Sequence, residues 1–257
     1  MKKMFVIAGV FAFAFCAFSQ EFATFSDAHK AGMAAYKAKD YAKMQEIYAN
    51  WNKKASSDYQ KWCCFYFESR AFREMKKWDD ALKVADAYIS SNPVENNKFE
   101  ALFVKGLIYI GKGDDASAIP CFEEAIKSGK LLASSRLQAY RNLIYASYRQ
   151  RKFDLCADAC RQLLAGAKGY DLEFAYNFGT TALCDAKKFS ECEQMSKEGL
   201  AIVKNPEFRA TLLYNYAQSL LSRNEEDEAM KYLQECVKLA PNTWRAKTAK
   251  KLLQDLE

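Results

Sequence analysis

The chain has 257 residues, of which 27% are charged and 14% aromatic, and its formal net charge is +6. This composition excludes a disordered chain, because it supplies ample apolar side chain for a core. The charge excess is mild, and Lys and Arg form no cluster typical of a nucleic-acid footprint, so we expect no nucleic-acid partner.

The N-terminal segment, MKKMFVIAGVFAFAFCAFSQ, has the layout of a secretory signal peptide. Two lysines precede an apolar run, and the small residues Ala17 and Ser19 lie three and one positions before the expected cut. We predict a signal peptide at residues 1–19 of the bacterial type and a periplasmic or secreted mature protein. The apolar run is shorter than the roughly 20 residues that span a bilayer, so no membrane span is expected.

Lipid attachment at Cys16 is an alternative reading of the same segment. Bacterial lipoprotein signals resemble one another in having Gly, Ala or Ser before the lipidated cysteine, whereas Phe15 precedes Cys16 here. A lipoprotein is therefore the secondary hypothesis.

From residue 25 onward a single pattern recurs along the chain, and it is clearest at 99–132. Its key positions carry a large residue, a small one and an aromatic one, and then alanine, an aromatic residue and alanine: Leu102, Gly106, Tyr109, Ala118, Phe122 and Ala125. The spacing predicts two helices joined by a tight turn at Gly113, with small residues where the two backbones approach.

Copies of this pattern are expected near residues 25–58, 62–95, 99–132, 137–170, 173–206 and 210–243. Their starts differ by 37, 37, 38, 36 and 37 positions, a regularity that amphipathic helices alone do not produce. Pro241 then ends the last copy, and residues 244–257 are predicted to form a lone capping helix.

The recurring pattern resembles the tetratricopeptide repeat, whose usual period is about 34 residues. The resemblance implies an all-α fold: a right-handed superhelical solenoid of about six helix-turn-helix repeats plus a C-terminal capping helix. It covers one domain, residues 20–257. Strand signals are lacking, which agrees with this expectation.

Residues with catalytic potential are scarce. His29 is the only histidine, and no G-x-S-x-G or G-x-x-x-x-G-K-[ST] motif occurs. The glycines at 111 and 113 are explained by the turn between helices. We therefore expect no enzyme activity, no cofactor and no metal site.

Eight of the nine cysteines follow residue 19 (9 − 1 = 8). Cys156, Cys192 and Cys236 occupy positions where the repeat family usually has alanine, so we interpret them as small packing residues. If any disulfide exists, Cys184 and Cys192 are the first pair to suspect, because they lie on the two helices of one repeat. Whether disulfides form is left open.

The resemblance also implies which residues line the concave groove, through their positions on the first helix of each repeat. These candidate peptide-binding residues are Arg70, Arg73, Arg141, Asn142, Tyr145, Tyr148, Asn177, Tyr214 and Asn215. Asn bonds both groups of a peptide amide and Arg forks onto a carboxylate, so the set suits an extended peptide. Phe103, Leu107 and Phe178 are either groove or core residues.

The function predicted from these features is that of a non-catalytic scaffold or adaptor that binds a protein or peptide partner in the bacterial cell envelope. The alternatives are a small-molecule (solute) binding accessory protein and a lipid-anchored version of the same scaffold. The identity of the partner and the oligomeric state are left open.

Overall fold

The computed structural model describes residues 22–256. The predicted signal peptide and Cys16 lie outside these residues. Within them the chain forms thirteen α-helices and no strand, which confirms the predicted all-α fold. None of these helices combines the length and the apolar character that crossing a membrane requires.

The helices have the following bounds: α1 Phe25–Lys37, α2 Tyr41–Asn52, α3 Asp58–Glu74, α4 Trp78–Ser90, α5 Glu95–Lys112, α6 Asp115–Lys127, α7 Ala133–Arg149, α8 Phe153–Leu164, α9 Tyr170–Asp185, α10 Phe189–Ile202, α11 Pro206–Leu221, α12 Glu226–Leu239 and α13 Trp244–Leu256.

The helices stack in chain order, each packing on the helix before it and the helix after it. We call α1, α3, α5, α7, α9 and α11 the A helices, and the even-numbered helices the B helices. From α3 to α11, each A helix also packs on the next A helix, and α11 packs on α13. The A helices therefore form a continuous inner layer, and the predicted solenoid of helix pairs with a final helix is confirmed.

A left-handed residue ends each A helix and turns the chain into the B helix. Gly113 takes this conformation, with φ of 83°, in the third pair. In the other pairs a residue with a side chain takes it: Lys39, Lys76, Arg151, Lys187 and Asn224. A backbone bond across the turn, such as Lys188 N–H to the Leu183 carbonyl at 2.9 Å, pairs a helix-end carbonyl.

A glycine allows the close approach of the two helices in several pairs. A Cβ added to Gly32 would lie 2.5 Å from the Tyr48 ring, and one added to Gly106 would lie 2.6 Å from the Phe122 ring. Both distances are shorter than any normal carbon–carbon contact. The aromatic residue therefore packs directly on the backbone of the facing helix.

The cysteines are part of this packing. Cys156, Cys192 and Cys236 are fully buried at helix contacts, in agreement with their interpretation as small packing residues. All eight cysteines in the described part of the chain are free thiols.

Ion pairs at the starts of B helices join successive pairs of helices. Asp79 pairs with Lys112 at 2.7 Å, and Asp154 pairs with Lys188 at 2.8 Å, both at the surface. Asp115, the first residue of α6, is nearly buried and accepts two hydrogen bonds from Arg149, each of 2.6 Å. The third and fourth pairs are thus joined by the strongest of these contacts.

Replacing Lys187 by glycine is expected to stabilise the protein by about 1 kcal/mol. A left-handed backbone costs roughly 1 kcal/mol or more for a residue with a Cβ and nothing comparable for glycine. Urea unfolding followed by circular dichroism measures the change.

Lys231→Gly is the matched control, because Lys231 is an exposed lysine in the interior of α12. There glycine should cost about 0.5–1 kcal/mol. A loss of stability in both variants contradicts the role assigned to the turn.

The ion pair of Asp115 and Arg149 should contribute more to stability than a fully exposed one. Asp115→Ala is expected to lower the free energy of unfolding by about 2–3 kcal/mol, because the Arg149 guanidinium loses two hydrogen bonds to a nearly buried carboxylate. Asp154→Ala, which removes the exposed pair with Lys188, should cost less than about 1 kcal/mol. Equal losses in urea unfolding contradict this difference.

Candidate peptide-binding groove

The predicted groove residues all lie on A helices, and the structure separates them into three places. Arg70 and Arg73 lie on α3, beside a cavity that reaches α5. Four residues lie on α7, where Arg141, Tyr145 and Tyr148 contact α9, and the remaining three lie on α9 and α11.

The cavity on the inner layer has a volume of about 340 Å³. It is lined by Tyr66, Arg70, Arg73, Glu74, Trp78, Phe103, Val104, Leu107, Gly111 and Gln138. One wall is cationic and the other is apolar. The sequence did not predict Trp78 as part of it; a usable signal was Gly111, whose added Cβ would lie 2.5 Å from the Trp78 ring.

Arg70 is held in a fixed orientation at the cavity. Its guanidinium stacks 4.2 Å above the centre of the Tyr36 ring and also donates a hydrogen bond to the Tyr36 hydroxyl. The Glu74 carboxylate lies 3.9 Å away, a weak ion pair. Arg70 thus reaches across from the second helix pair to the first.

Arg73, in contrast, makes no hydrogen bond or ion pair to any residue between 22 and 256. Burial lowers the pKa of Arg73; the nearby Arg70 charge acts in the same sense, while Tyr66 and Glu74 oppose it. Two guanidinium groups therefore share the cavity with a single carboxylate, that of Glu74. A bound anion would restore the charge balance, and a carboxylate matches the forked geometry of arginine.

Aromatic side chains from α7 and α9 form a second part of the inner surface. Tyr145 lies edge-on to Phe178, with ring centres 4.9 Å apart, and is 38% exposed. Tyr148 contacts Phe178 at 6.0 Å and donates a 2.7 Å hydrogen bond to Asp185. Burial and this bond raise the pKa of Tyr148 to about 12, so its hydroxyl keeps its proton at neutral pH.

The polar residues of α7 have partners within the protein. Nε of Arg141 lies 3.5 Å from Oδ1 of Asp171. The side-chain amide of Asn142 donates to the Gln138 carbonyl at 2.8 Å. Both side chains are partly exposed.

The residues of α11 are packed rather than exposed. Asn215 is fully buried, and its amide donates to the hydroxyls of Thr180 and Thr181, both at 3.1 Å. Tyr214 is 8% exposed because Arg245 of α13 stacks on its ring. Asn215 therefore joins α9 to α11.

Asn177 of α9 is partly exposed, and its backbone carbonyl accepts the Thr181 hydroxyl at 2.8 Å. Its side-chain oxygen is buried and has no hydrogen-bond partner among residues 22–256. Ligand contact by Asn177 and the other eight candidates stays a prediction.

The tetratricopeptide repeat family model matches residues 99–128 and 210–243. The chain contains tetratricopeptide repeats. The two matches are the third and sixth of the predicted repeats, and the helix pairs around them continue the same stacking.

Solved structures of tetratricopeptide repeat proteins share this fold. YrrB, described as having an unusual peptide-binding site, superposes with a TM-score of 0.61 at 14% identity, covering 80% of this chain and 99% of YrrB. The C-terminal part of a repeat protein from Cytophaga hutchinsonii gives 0.57 at 16%, covering 89% and 95%. MamA gives 0.56 at 17%, covering 70% and 92%.

No curated protein matches the chain by sequence. At these identities the solved structures establish the fold alone.

Proposed function

We propose that this tetratricopeptide solenoid is a non-catalytic scaffold that binds a protein or peptide partner along its inner layer. The observation that carries the proposal is the cavity at Arg70 and Arg73, where a partly buried guanidinium without a partner adjoins an apolar wall. That combination suits a peptide segment with a carboxylate next to an apolar side chain.

The inner layer is long enough for further contacts with an extended chain. From the arginine cavity it continues to the aromatic cluster at Tyr145 and Phe178, where exposed ring edges provide area at low entropic cost. YrrB, which has the same fold, is described as having an unusual peptide-binding site, and this supports peptide binding as the use of the fold.

The single histidine has a packing role that accounts for it. His29 Nδ1 lies 2.9 Å from the Tyr48 hydroxyl, and its ring packs edge-on against Phe67 at 5.2 Å. No group of three or more His, Cys, Asp or Glu side chains suited to a metal occurs within residues 22–256.

Selection from a phage-displayed peptide library tests the groove. We expect the purified protein to enrich peptides in which Asp, Glu or a free C-terminus adjoins an apolar residue. Arg73→Ala should weaken binding of a selected peptide by about tenfold or more, since a hydrogen bond to a charged group is worth roughly 1.5–3 kcal/mol. Fluorescence anisotropy measures this affinity.

Arg161→Ala is the matched control, because Arg161 is an arginine on the B helix α8, paired with Asp158 and Glu191. It should leave the affinity unchanged. Equal effects of the two substitutions, or enrichment without acidic residues, count against the arginine cavity.

The cavity also favours a second candidate function, binding of a small organic acid, because 340 Å³ lies within the range of ligand pockets. A thermal-shift screen of amino acids and organic acids separates the two. A specific ligand at 100 times its dissociation constant adds about 2.7 kcal/mol of stability.

We further propose that the scaffold works in the bacterial cell envelope, on the basis of the signal-like segment at residues 1–19. Intact mass measurement of protein recovered from the expressing cell tests this. The mature chain is expected to begin at Gln20. A chain beginning at a lipid-modified Cys16 supports the anchored alternative, and an uncut Met1 contradicts export.

A further inference from the structure

We propose that Cys184 and Cys192 form a redox-active dithiol, a modification site at which a disulfide compound is reduced and an intramolecular disulfide closes beside the buried cation of Arg245. This goes beyond the groove, because neither cysteine is one of its candidate residues.

The two thiols lie on adjoining helix ends. Cys184 is in the last turn of α9, and Cys192 is in the first turn of α10, with only residues 186–188 between the helices. Sγ of Cys192 lies 3.4 Å from the carbonyl oxygen of Thr180. In an α-helix the Thr180 carbonyl is paired with the N–H of the residue four positions later, which is Cys184. The Cys192 thiol therefore lies at the helical turn that carries Cys184.

Arg245 is an unusual buried charge. It is 7% exposed, lies between the rings of Trp244 at 3.9 Å and Tyr214 at 4.9 Å, and makes no hydrogen bond or ion pair within residues 22–256. A buried cation without an anion is costly. Its charge acts on the thiols of Cys184, Cys192 and Cys236 and on the hydroxyls of Tyr148 and Tyr214. A Cys192 thiolate would serve as its counter-ion.

The surroundings favour Cys192 as the cysteine that ionises. The hydrogen bond from Cys184 lowers the pKa of the Cys192 thiol, and burial opposes this change. The Ser219 and Ser196 hydroxyls and the Arg245 charge also lower this pKa. The same bond and burial raise the pKa of Cys184. While protonated, the Cys192 thiol donates to the Thr180 carbonyl.

Exposure sets the order of the steps. Cys192 is fully buried and Cys184 is partly exposed, so an incoming disulfide meets Cys184 first. Sγ of Cys184 forms a bond to one sulfur, the external S–S bond breaks, and the leaving thiolate takes the Cys184 proton. The Cys192 thiol then gives up its proton, its thiolate attacks Sγ of Cys184, and the second external thiolate is expelled and takes up a proton in exchange. Two cysteines are oxidised to a disulfide and one disulfide is reduced to two thiols.

The chain contains a matched control. Cys156 and Cys160 lie one turn apart on α8 and are both fully buried, so an oxidant reaches neither. If the proximity of two thiols were sufficient for oxidation, the Cys156 and Cys160 pair would be oxidised as readily as the Cys184 and Cys192 pair.

The test uses reduced, folded full-length protein incubated with oxidised glutathione, followed by alkylation under denaturing conditions and trypsin digestion. Cleavage after Lys187 and Lys188 puts the two cysteines on separate peptides, residues 169–187 and 189–197. We expect these peptides to be recovered linked, while Cys156 and Cys160 are alkylated. Cys192→Ser should stop at a mixed disulfide of glutathione with Cys184.

Arg245→Met should slow closure by about tenfold, the effect of about one unit in the thiolate pKa, whereas Arg245→Lys should keep the rate close to that of the parent. Circular dichroism checks that both variants fold. Alkylation of both Cys184 and Cys192 after oxidation overturns the proposal, as does a disulfide at Cys156 and Cys160 that forms equally fast. An unchanged rate in folded Arg245→Met overturns the part assigned to the arginine.

Discussion

Close approach of the two helices in a pair is the constraint on which the rest of this structure depends. The Phe122 ring lies directly on the backbone at Gly106, and the Tyr48 ring does the same at Gly32. A pair packed this closely still leaves an apolar flank, so each pair needs a neighbour. The inner layer of A helices, its groove and its cavity follow from that stacking.

The same stacking gives chemically equal residues unequal surroundings. Arg149 meets the buried Asp115 of the preceding pair and is used for stability. Arg73, on another A helix, meets a second arginine and an apolar wall, and Arg245 of α13 meets aromatic rings and thiols. A buried cation without a protein anion lowers the stability of the fold. The peptide-binding proposal rests on one such cation, Arg73, and the redox proposal on another, Arg245.

Sequence reasoning predicted the helix pairs because their spacing is local: a small residue, an aromatic residue and a turn recur at a fixed interval. It did not predict the surroundings of two groove candidates. Tyr214 and Asn215 occupy groove positions in the repeat pattern, but α13 covers Tyr214 and the Thr180 and Thr181 hydroxyls bury Asn215. The pattern describes an internal repeat with an open inner face, and it carries no information about the helix that closes the array.

By itself, the sequence determined the all-α class, the period, the helix-to-helix turns and the burial of cysteines at alanine positions, since these depend on neighbours within one repeat. Only the tertiary structure decided which charges are paired. Asp115, the partner of Arg149, lies about one repeat away along the chain, and side chains at that distance meet only after the repeats have stacked. Arg73 and Arg245 have no hydrogen-bond or ion-pair partner within residues 22–256.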